Sequence, residues 1–235
     1  MEHTGQAYNN IAAKYADSRE DKPINVYYER PGFCSLLPPL EGLAVLDAGC
    51  GPGWFAEYCQ KNGAAITAFD YNQDFVERTR ARLQTAALDA SSDVFQEDLA
   101  QPLNRLSDSA FDLVICSLVL HYLEDWLPAL REFHRVLKPD GRLVFSTHHP
   151  AHDWIGFGTH SYFDVELLED EWDIGKVQFY RRPITKICAD LNAAGFLIEQ
   201  LLEPQPLPEW KDVEPESYER FNKAPWRLMI RACKA

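Results

Sequence analysis

The chain has 235 residues, of which 46% are hydrophobic and 25% are charged, as in an ordinary globular protein. Its formal net charge of −13 repels phosphate backbones and anionic lipid surfaces, so we expect neither nucleic acid nor a membrane as a partner. The six cysteines form no C-x-x-C pair, and the first ten residues include no basic and apolar leader segment. These features predict reduced thiols and a cytoplasmic location.

Short apolar runs alternate with helical patterns, which predicts an α/β fold with a mostly parallel sheet and helices on both faces. The predicted strands cover residues 43–48, 64–70, 92–98, 111–119, 143–148, 196–203 and 226–234. The predicted helices begin near Trp54, follow Asp70, contain the apolar residues from Leu123 to Leu137, and cover residues 184–194 before a capping Gly195.

Two segments depart from this alternation. Residues 1–40 have a helical, tyrosine-rich pattern and predict an N-terminal cap on the main domain, residues 41–235. Residues 149–180 are a long insert rich in histidine and aromatic residues, and long connections of this kind are often lids or binding loops. The proline- and acid-rich residues 203–221 are predicted to form an exposed excursion.

Three glycines, Gly49, Gly51 and Gly53, follow the first predicted strand in the stretch VLDAGCGPGW. Glycine allows a tight turn and a close approach of a ligand, and the N-terminus of the next helix favours an anionic group. The turn therefore predicts a cofactor site. Trp54 occupies the position of the third glycine in the dinucleotide-binding fingerprint, and no Gly-Lys-Ser/Thr follows, so neither a nicotinamide site nor a phosphate loop is expected.

The stretch VLDAGCGPG resembles the first motif of class I S-adenosylmethionine-dependent methyltransferases, and matching segments follow in family order over residues 43–147. The pattern is most similar to the ubiquinone and menaquinone biosynthesis group, methyltransferase type 11. The resemblance implies a Rossmann-like fold with a seven-stranded sheet whose last strand is antiparallel. It also implies S-adenosylmethionine as cofactor and S-adenosylhomocysteine as product. The cofactor-binding residues that it predicts are Tyr15, Asp47, Gly49, Cys50, Gly51, Gly53, Asp70, Tyr71, Asp98, Leu99 and Ser117.

The resemblance also implies a role for several of these side chains. Asp70 would accept hydrogen bonds from both ribose hydroxyls, and a carboxylate is well suited to a vicinal diol. Tyr71 would pack on the adenine ring, and Asp98 would accept from the adenine amino group with Leu99 beside the ring. Asp47 would help to fix the loop and the ammonium group of the ligand.

The candidates for catalysis and acceptor binding are less specific. His149 is the first candidate for a general base or an orienting group, and His121 is the second; a structural role is the alternative for each. The predicted acceptor-binding residues are Tyr8, His148, His152 and Tyr180. A metal site at His148, His149, His152 and Asp153 matches no established spacing, so no metal is predicted.

The sequence predicts methyl transfer to a small molecule at oxygen, carbon or nitrogen. The resemblance to the quinone-pathway group implies an aromatic or apolar acceptor, and the aromatic residues of the insert either line a pocket for it or form the core that holds the insert in place. A protein that binds S-adenosylmethionine without transferring the methyl group is the first alternative. A protein or RNA methyltransferase is the second. Both a monomer and a homodimer remain open.

Overall fold

The computed structural model describes residues 21–88, 92–158, 161–172 and 175–235. A seven-stranded sheet with the order β3-β2-β1-β4-β5-β9-β8 forms its centre. Strand β9 pairs antiparallel with both of its neighbours, and the other pairs in this sheet are parallel. The strands are β1 (Ala44–Ala48), β2 (Ala65–Asp70), β3 (Ser92–Gln96), β4 (Phe111–Ser117), β5 (Leu137–His148), β6 (Glu166–Trp172), β7 (Gly175–Arg181), β8 (Phe196–Leu202) and β9 (Arg227–Lys234).

Helices cover both faces of this sheet. A π-helical turn, Asn25–Glu29, leads directly into the first α-helix, and a 3₁₀ turn, Leu120–Tyr122, follows β4. The α-helices are α1 (Arg30–Ser35), α2 (Trp54–Lys61), α3 (Gln73–Thr85), α4 (Leu127–Val136), α5 (Pro150–Phe157), α6 (Ile184–Ala193), α7 (Trp210–Val213) and α8 (Pro215–Lys223). No helix in the described ranges is both long and apolar enough to cross a bilayer.

The central strands are apolar on both faces because helices cover both sides of the sheet. In β4, Val114 packs into the core beneath α4 and α6, whereas Leu113 and Ile115 pack into the core beneath α2 and α3. The two cores cover the faces of the sheet. A ligand can therefore bind at the edge formed by the carboxyl ends of β1 to β5, where the loops lie. The predicted fold class is therefore confirmed.

Most predicted boundaries agree with the structure, but the end of α4 and the start of β5 differ from the prediction. Leu137 opens β5 instead of ending a helix, and residues 137–142, which precede the predicted strand 143–148, belong to the same strand, whose register with β4 shifts between Phe111 and Leu113. The insert contains α5 and a separate antiparallel hairpin, β6–β7.

Most residues of the excursion at 203–221 are exposed, as expected, but two of its aromatic residues are not. Trp210 is 1% exposed and Phe221 is 4% exposed, and both pack against Tyr28 in a small core of their own. This core attaches α7 and α8 to the segment that precedes α1, because burial of three aromatic rings stabilises the contact.

Candidate functional site

The register of the parallel strands places several predicted site residues at one level of the sheet edge. Asp70 on β2 pairs with Gln96 on β3, and Ser117 on β4 pairs with Ser146 on β5. The register of β1 runs to Ala48 with β2 and to Asp47 with β4, and its extension to the next residues would place Gly49 between Asp70 and Ser117. Neighbouring strands lie about 4.8 Å apart, so these residues form one row across the sheet.

The glycine turn after β1 leaves open space where a ligand can approach the backbone. Gly51 has φ of 54°, and no described atom lies within 4 Å of the position that its Cβ would occupy. Gly53 has φ of 88°, and a Cβ there would lie 2.7 Å from Oγ1 of Thr79 on α3. Gly53 therefore permits close packing of the turn against a helix, whereas Gly51 faces the space that a ligand would fill.

Asp70 connects the glycine turn to the turn after β2. Its Oδ2 accepts a hydrogen bond of 2.8 Å from the backbone N–H of Gly51, and its Oδ1 accepts one of 2.8 Å from that of Asn72. Burial raises the pKa of Asp70 to about 6, although both N–H groups act to lower it. Because a carboxylate has about four lone-pair sites, two sites remain for a ligand diol.

Asp47 lies beneath the turn and is 2% exposed. Burial raises its pKa to about 8, and the nearby carboxylate of Asp70 contributes to the increase. Its Oδ2 accepts no hydrogen bond from any residue that the structure describes. An unsatisfied buried oxygen below the glycine turn is suited to a bound ammonium group. Asp47 is, however, not among the residues that line the cavity.

One cavity of about 930 Å³ runs along the row. Eight of the predicted cofactor-binding residues line it, namely Gly49, Cys50, Gly51, Asp70, Tyr71, Asp98, Leu99 and Ser117. Tyr71 is exposed at its wall, and Leu99 is buried in its floor. Oδ1 of Asp98 accepts a 2.9 Å hydrogen bond from the N–H of Ala100, which fixes this carboxylate at the β3 end of the cavity.

A second part of the cavity lies beyond β4, near the hairpin and α6, and we call it the acceptor arm because the sequence predicts that Tyr180 binds the acceptor. Its lining residues are Tyr122, Leu123, Glu124, Val165, Tyr180 and Lys186. The hydroxyl of Tyr180 bonds to the Glu124 carboxylate, and burial together with this carboxylate raises the pKa of Tyr180. Tyr180, a predicted acceptor-binding residue, thus lies where the hairpin meets the loop after β4.

Arg182 holds this loop in place from the end of the hairpin. Its Nη2 donates hydrogen bonds to the carbonyl oxygens of Leu123 at 2.5 Å and Glu124 at 3.3 Å. The guanidinium also lies 4.2 Å from the centre of the Trp126 ring. Because Arg182 is 2% exposed, it acts on the acceptor arm through the loop and not by facing the arm itself.

The predicted histidines lie outside the described lining of the cavity. His149 is 3% exposed, and its Nε2 lies 2.8 Å from Oε1 of Glu203, on the loop after β8. Burial lowers the pKa of His149, although Glu203 acts to raise it. The His149 ring is thus paired with Glu203, which does not line the cavity, and a catalytic role for His149 stays a prediction.

His121 and His148 stack on each other with ring centres 4.3 Å apart. Burial lowers the pKa of His121 well below its usual range, and the neighbouring His148 contributes. Nδ1 of His148 lies 3.6 Å from Asp153, and Nδ1 of His152 lies 3.5 Å from the same carboxylate. Within the described ranges, no group of three or more side chains is arranged to hold a metal.

Some predicted site residues lie outside the described ranges, and some residues that line the cavity were not predicted. Tyr8 and Tyr15, predicted to bind acceptor and cofactor, lie outside the described residues. Glu29 and Arg30 line the cavity but were not predicted, because nothing in the local sequence distinguishes them from surface charges.

Comparisons with known proteins agree with this geometry. A family model described as a methyltransferase domain matches residues 46–145. A malonyl-[acyl-carrier protein] O-methyltransferase from Erwinia billingiae is 37% identical over 147 residues, covering 60% of this chain and 55% of that protein. A ubiquinone biosynthesis O-methyltransferase from Paracidovorax citrulli is 32% identical over 144 residues, covering 60% and 59%. These matches span somewhat more than half the length of both curated relatives.

A solved structure shows the same likeness over a longer range. The S-adenosylmethionine-dependent methyltransferase from Mesorhizobium loti superposes with a TM-score of 0.69 at 27% identity. The superposition covers 87% of this chain and 96% of that chain. The similarity therefore extends well beyond the residues that the family model matches.

Proposed function

We propose that this enzyme, a member of the class I S-adenosylmethionine-dependent methyltransferases, transfers the methyl group to a small-molecule acceptor. Its cofactor is S-adenosylmethionine. An oxygen atom is the favoured acceptor, since the two curated relatives named above are O-methyltransferases. The observation that supports the proposal most is the acceptor arm, which continues the cavity beyond the cofactor row.

The residues of the row fit the cofactor. The open space at Gly51 would admit its amino-acid end, and the unsatisfied Oδ2 of Asp47 suits its ammonium group. Asp70 retains lone pairs for the ribose hydroxyls, and Asp98 with Leu99 would hold the adenine ring at the β3 end. Ligand pockets measure about 300–1,000 Å³, so the cavity of about 930 Å³ leaves room for an acceptor as well.

The cofactor supplies an electrophilic methyl group, and the chain must align the acceptor with it and exclude water. Correct alignment alone contributes about 7–11 kcal/mol to lowering a barrier. The Tyr180–Glu124 pair and the loop held by Arg182 would provide this alignment. The arm is lined by both aromatic and aliphatic groups, which suits an acceptor with an apolar part.

A methyl-transfer assay tests the proposal. The protein is incubated with S-adenosylmethionine labelled in the methyl group and with either a malonyl thioester or a catechol. We expect labelled product from at least one of these, with S-adenosylhomocysteine formed in equal amount. The Tyr180→Phe variant should raise the acceptor KM about tenfold and leave the affinity for S-adenosylhomocysteine unchanged, because it loses one hydrogen bond in the arm.

Two results would contradict the proposal in different ways. Transfer to a protein or RNA fraction but to neither small molecule would favour a macromolecular substrate. Tight binding of S-adenosylhomocysteine without transfer to any of these would indicate a cofactor-binding protein that lacks transferase activity.

A further inference from the structure

A buried carboxylate lies where the cofactor row meets the acceptor arm. Glu29 lines the cavity and is 4% exposed. Its Oε1 accepts hydrogen bonds from Ser146 at 2.6 Å and from Ser117 at 3.3 Å. Its Oε2 lies 3.3 Å from Nε of Arg227 on β9 and accepts no hydrogen bond from the described residues. Burying a carboxylate is costly even when it is paired, so its position beside the cavity calls for an explanation.

The strand register gives the position of this carboxylate relative to the glycine turn after β1. The register of β1 with β4 ends at the pair Asp47 and Ile115, and its extension by two residues would bring Gly49 level with Ser117, about one strand spacing, 4.8 Å, away. Because Oε1 of Glu29 lies 3.3 Å from the hydroxyl of Ser117, the carboxylate lies beside the glycine turn, on the side of the turn that faces β5. In the proposed binding mode the row would hold adenine, ribose and amino acid in the order β3, β2, β1, so an acceptor would approach from the β5 side.

We propose that Glu29 makes the cavity select for positive charge at the transfer position, and so favours S-adenosylmethionine over S-adenosylhomocysteine. The two ligands differ by one methyl group and one positive charge. A carboxylate in a cavity with little water attracts a cation more strongly than it would in bulk water. The guanidinium of Arg227 lies 3.3 Å from the same carboxylate and opposes this attraction.

The inference has a consequence for turnover. Transfer of the methyl group leaves a neutral ligand, which Glu29 no longer attracts, so the product is released more readily than the substrate. Arg30 also lines the cavity, and its guanidinium lies 4.3 Å from the centre of the Trp54 ring, so its positive charge stays at the cavity wall and acts in the same direction as that of Arg227. The inference rests on the cofactor and not on the acceptor, so it stands apart from the proposal of a small-molecule substrate.

Calorimetric titration of the full chain with each of the two ligands tests this inference through the ratio of their Kd values. The wild type should bind S-adenosylmethionine more tightly. Glu29→Gln retains the shape and an oxygen that accepts from Ser146 but removes the charge. It should lower the preference about tenfold while the Kd of S-adenosylhomocysteine stays within about threefold.

Two further variants make the test specific for charge. Arg227→Gln should increase the preference severalfold, because it removes the cation that opposes the carboxylate. Glu199→Gln is the matched control. Its carboxylate on β8 is also paired with arginines, Arg142 and Arg231, but lies outside the cavity lining, so the preference should not change.

The ratio separates charge selection from a merely structural role, because a packing defect weakens both ligands together. An unchanged ratio in Glu29→Gln, or a decrease in Arg227→Gln, would overturn the inference. If thermal unfolding shows that Glu29→Gln does not fold, Arg227→Gln decides: an increased preference supports the inference and any other result overturns it. Absence of acceptor methylation with the expected ratios would leave the inference intact and contradict only the proposed substrate class.

Discussion

The glycine turn after β1 and the histidine-rich segment after β5 occupy the same edge of one sheet, yet they differ in what determines them. The turn is defined by backbone conformation, as at Gly53 with φ of 88°, and such requirements are visible in the residue types. The histidines owe their directions to partners far along the chain, such as Glu203 for His149. Backbone-determined sites can therefore be located from sequence, whereas side-chain constellations depend on tertiary contacts.

The strongest test of this contrast compares two glycines. Gly53→Ala should lower the free energy of unfolding by about 2–4 kcal/mol. The alanine would have to adopt a left-handed backbone conformation, and its Cβ would clash with Thr79. Thermal unfolding provides the measurement. Gly156→Ala is the control, since it lies in α5 with no described atom within 4 Å of the added Cβ and should be neutral or stabilising. Equal losses in both variants would contradict the account.

Asp47 gives the next largest effect, a stability that falls as pH rises. Its pKa is about 8 in the folded protein and about 3.9 in the unfolded chain, so the folded state binds more protons between these values. Without cofactor, this group should remove about 2 kcal/mol of stability between pH 6 and pH 8.

Chemical denaturation of wild type and Asp47→Asn at both pH values measures this contribution. The stability of the variant should be independent of pH at this site, because asparagine stays neutral, so the variant should gain about 2 kcal/mol on the wild type between pH 6 and pH 8. A difference between the two proteins that does not depend on pH would show that the Asp47 carboxyl group is not buried as described.

Gly51 should affect binding more than folding. Its added Cβ meets no described atom, so Gly51→Ala should cost only about 1 kcal/mol of backbone strain. The methyl group enters the cavity, however, and should raise the Kd of S-adenosylhomocysteine about tenfold or more. Calorimetry on Gly51→Ala and on the Gly156→Ala control makes the comparison. An unaltered Kd in Gly51→Ala would place the ligand elsewhere.

The smallest effect is expected at His149. His149→Asn should leave the Kd of S-adenosylhomocysteine within about twofold, because the ring contacts Glu203 and lies outside the described cavity lining. Its unfolding free energy should fall by about 1 kcal/mol for the lost hydrogen bond. A tenfold loss of affinity in calorimetry would show that the ring reaches the cofactor.

Particular elements show which parts of the fold the sequence determines. Helix α2 begins at Trp54 and the segment after α6 turns at Gly195, both as predicted, because glycines with positive φ flank them. The hairpin β6–β7 was not predicted. One of its faces is apolar only where Leu168, Phe179 and Val177 pack against the domain, and its other face mixes apolar and charged residues.

The same distinction applies within the site. Asp70 could be located because it ends a predicted strand, and parallel strands bring their ends to one edge, whereas Ser117 lay within the predicted strand 111–119 and was indicated by the family resemblance. Glu29 could not, because its contacts with Ser117 and Ser146 span 88 and 117 residues of sequence. Pairing over such distances follows from the path of the whole chain and leaves no local pattern.

Calorimetric titration of wild type and Asp70→Ala with S-adenosylhomocysteine, with NADH as a control ligand, tests the central claim most directly. The account predicts micromolar binding to the wild type, no binding of NADH, and a loss of at least about 30-fold in the variant, because charge-assisted hydrogen bonds to the ribose disappear. Equal binding to both proteins, or binding of NADH alone, would contradict the assignment of this cavity to the cofactor.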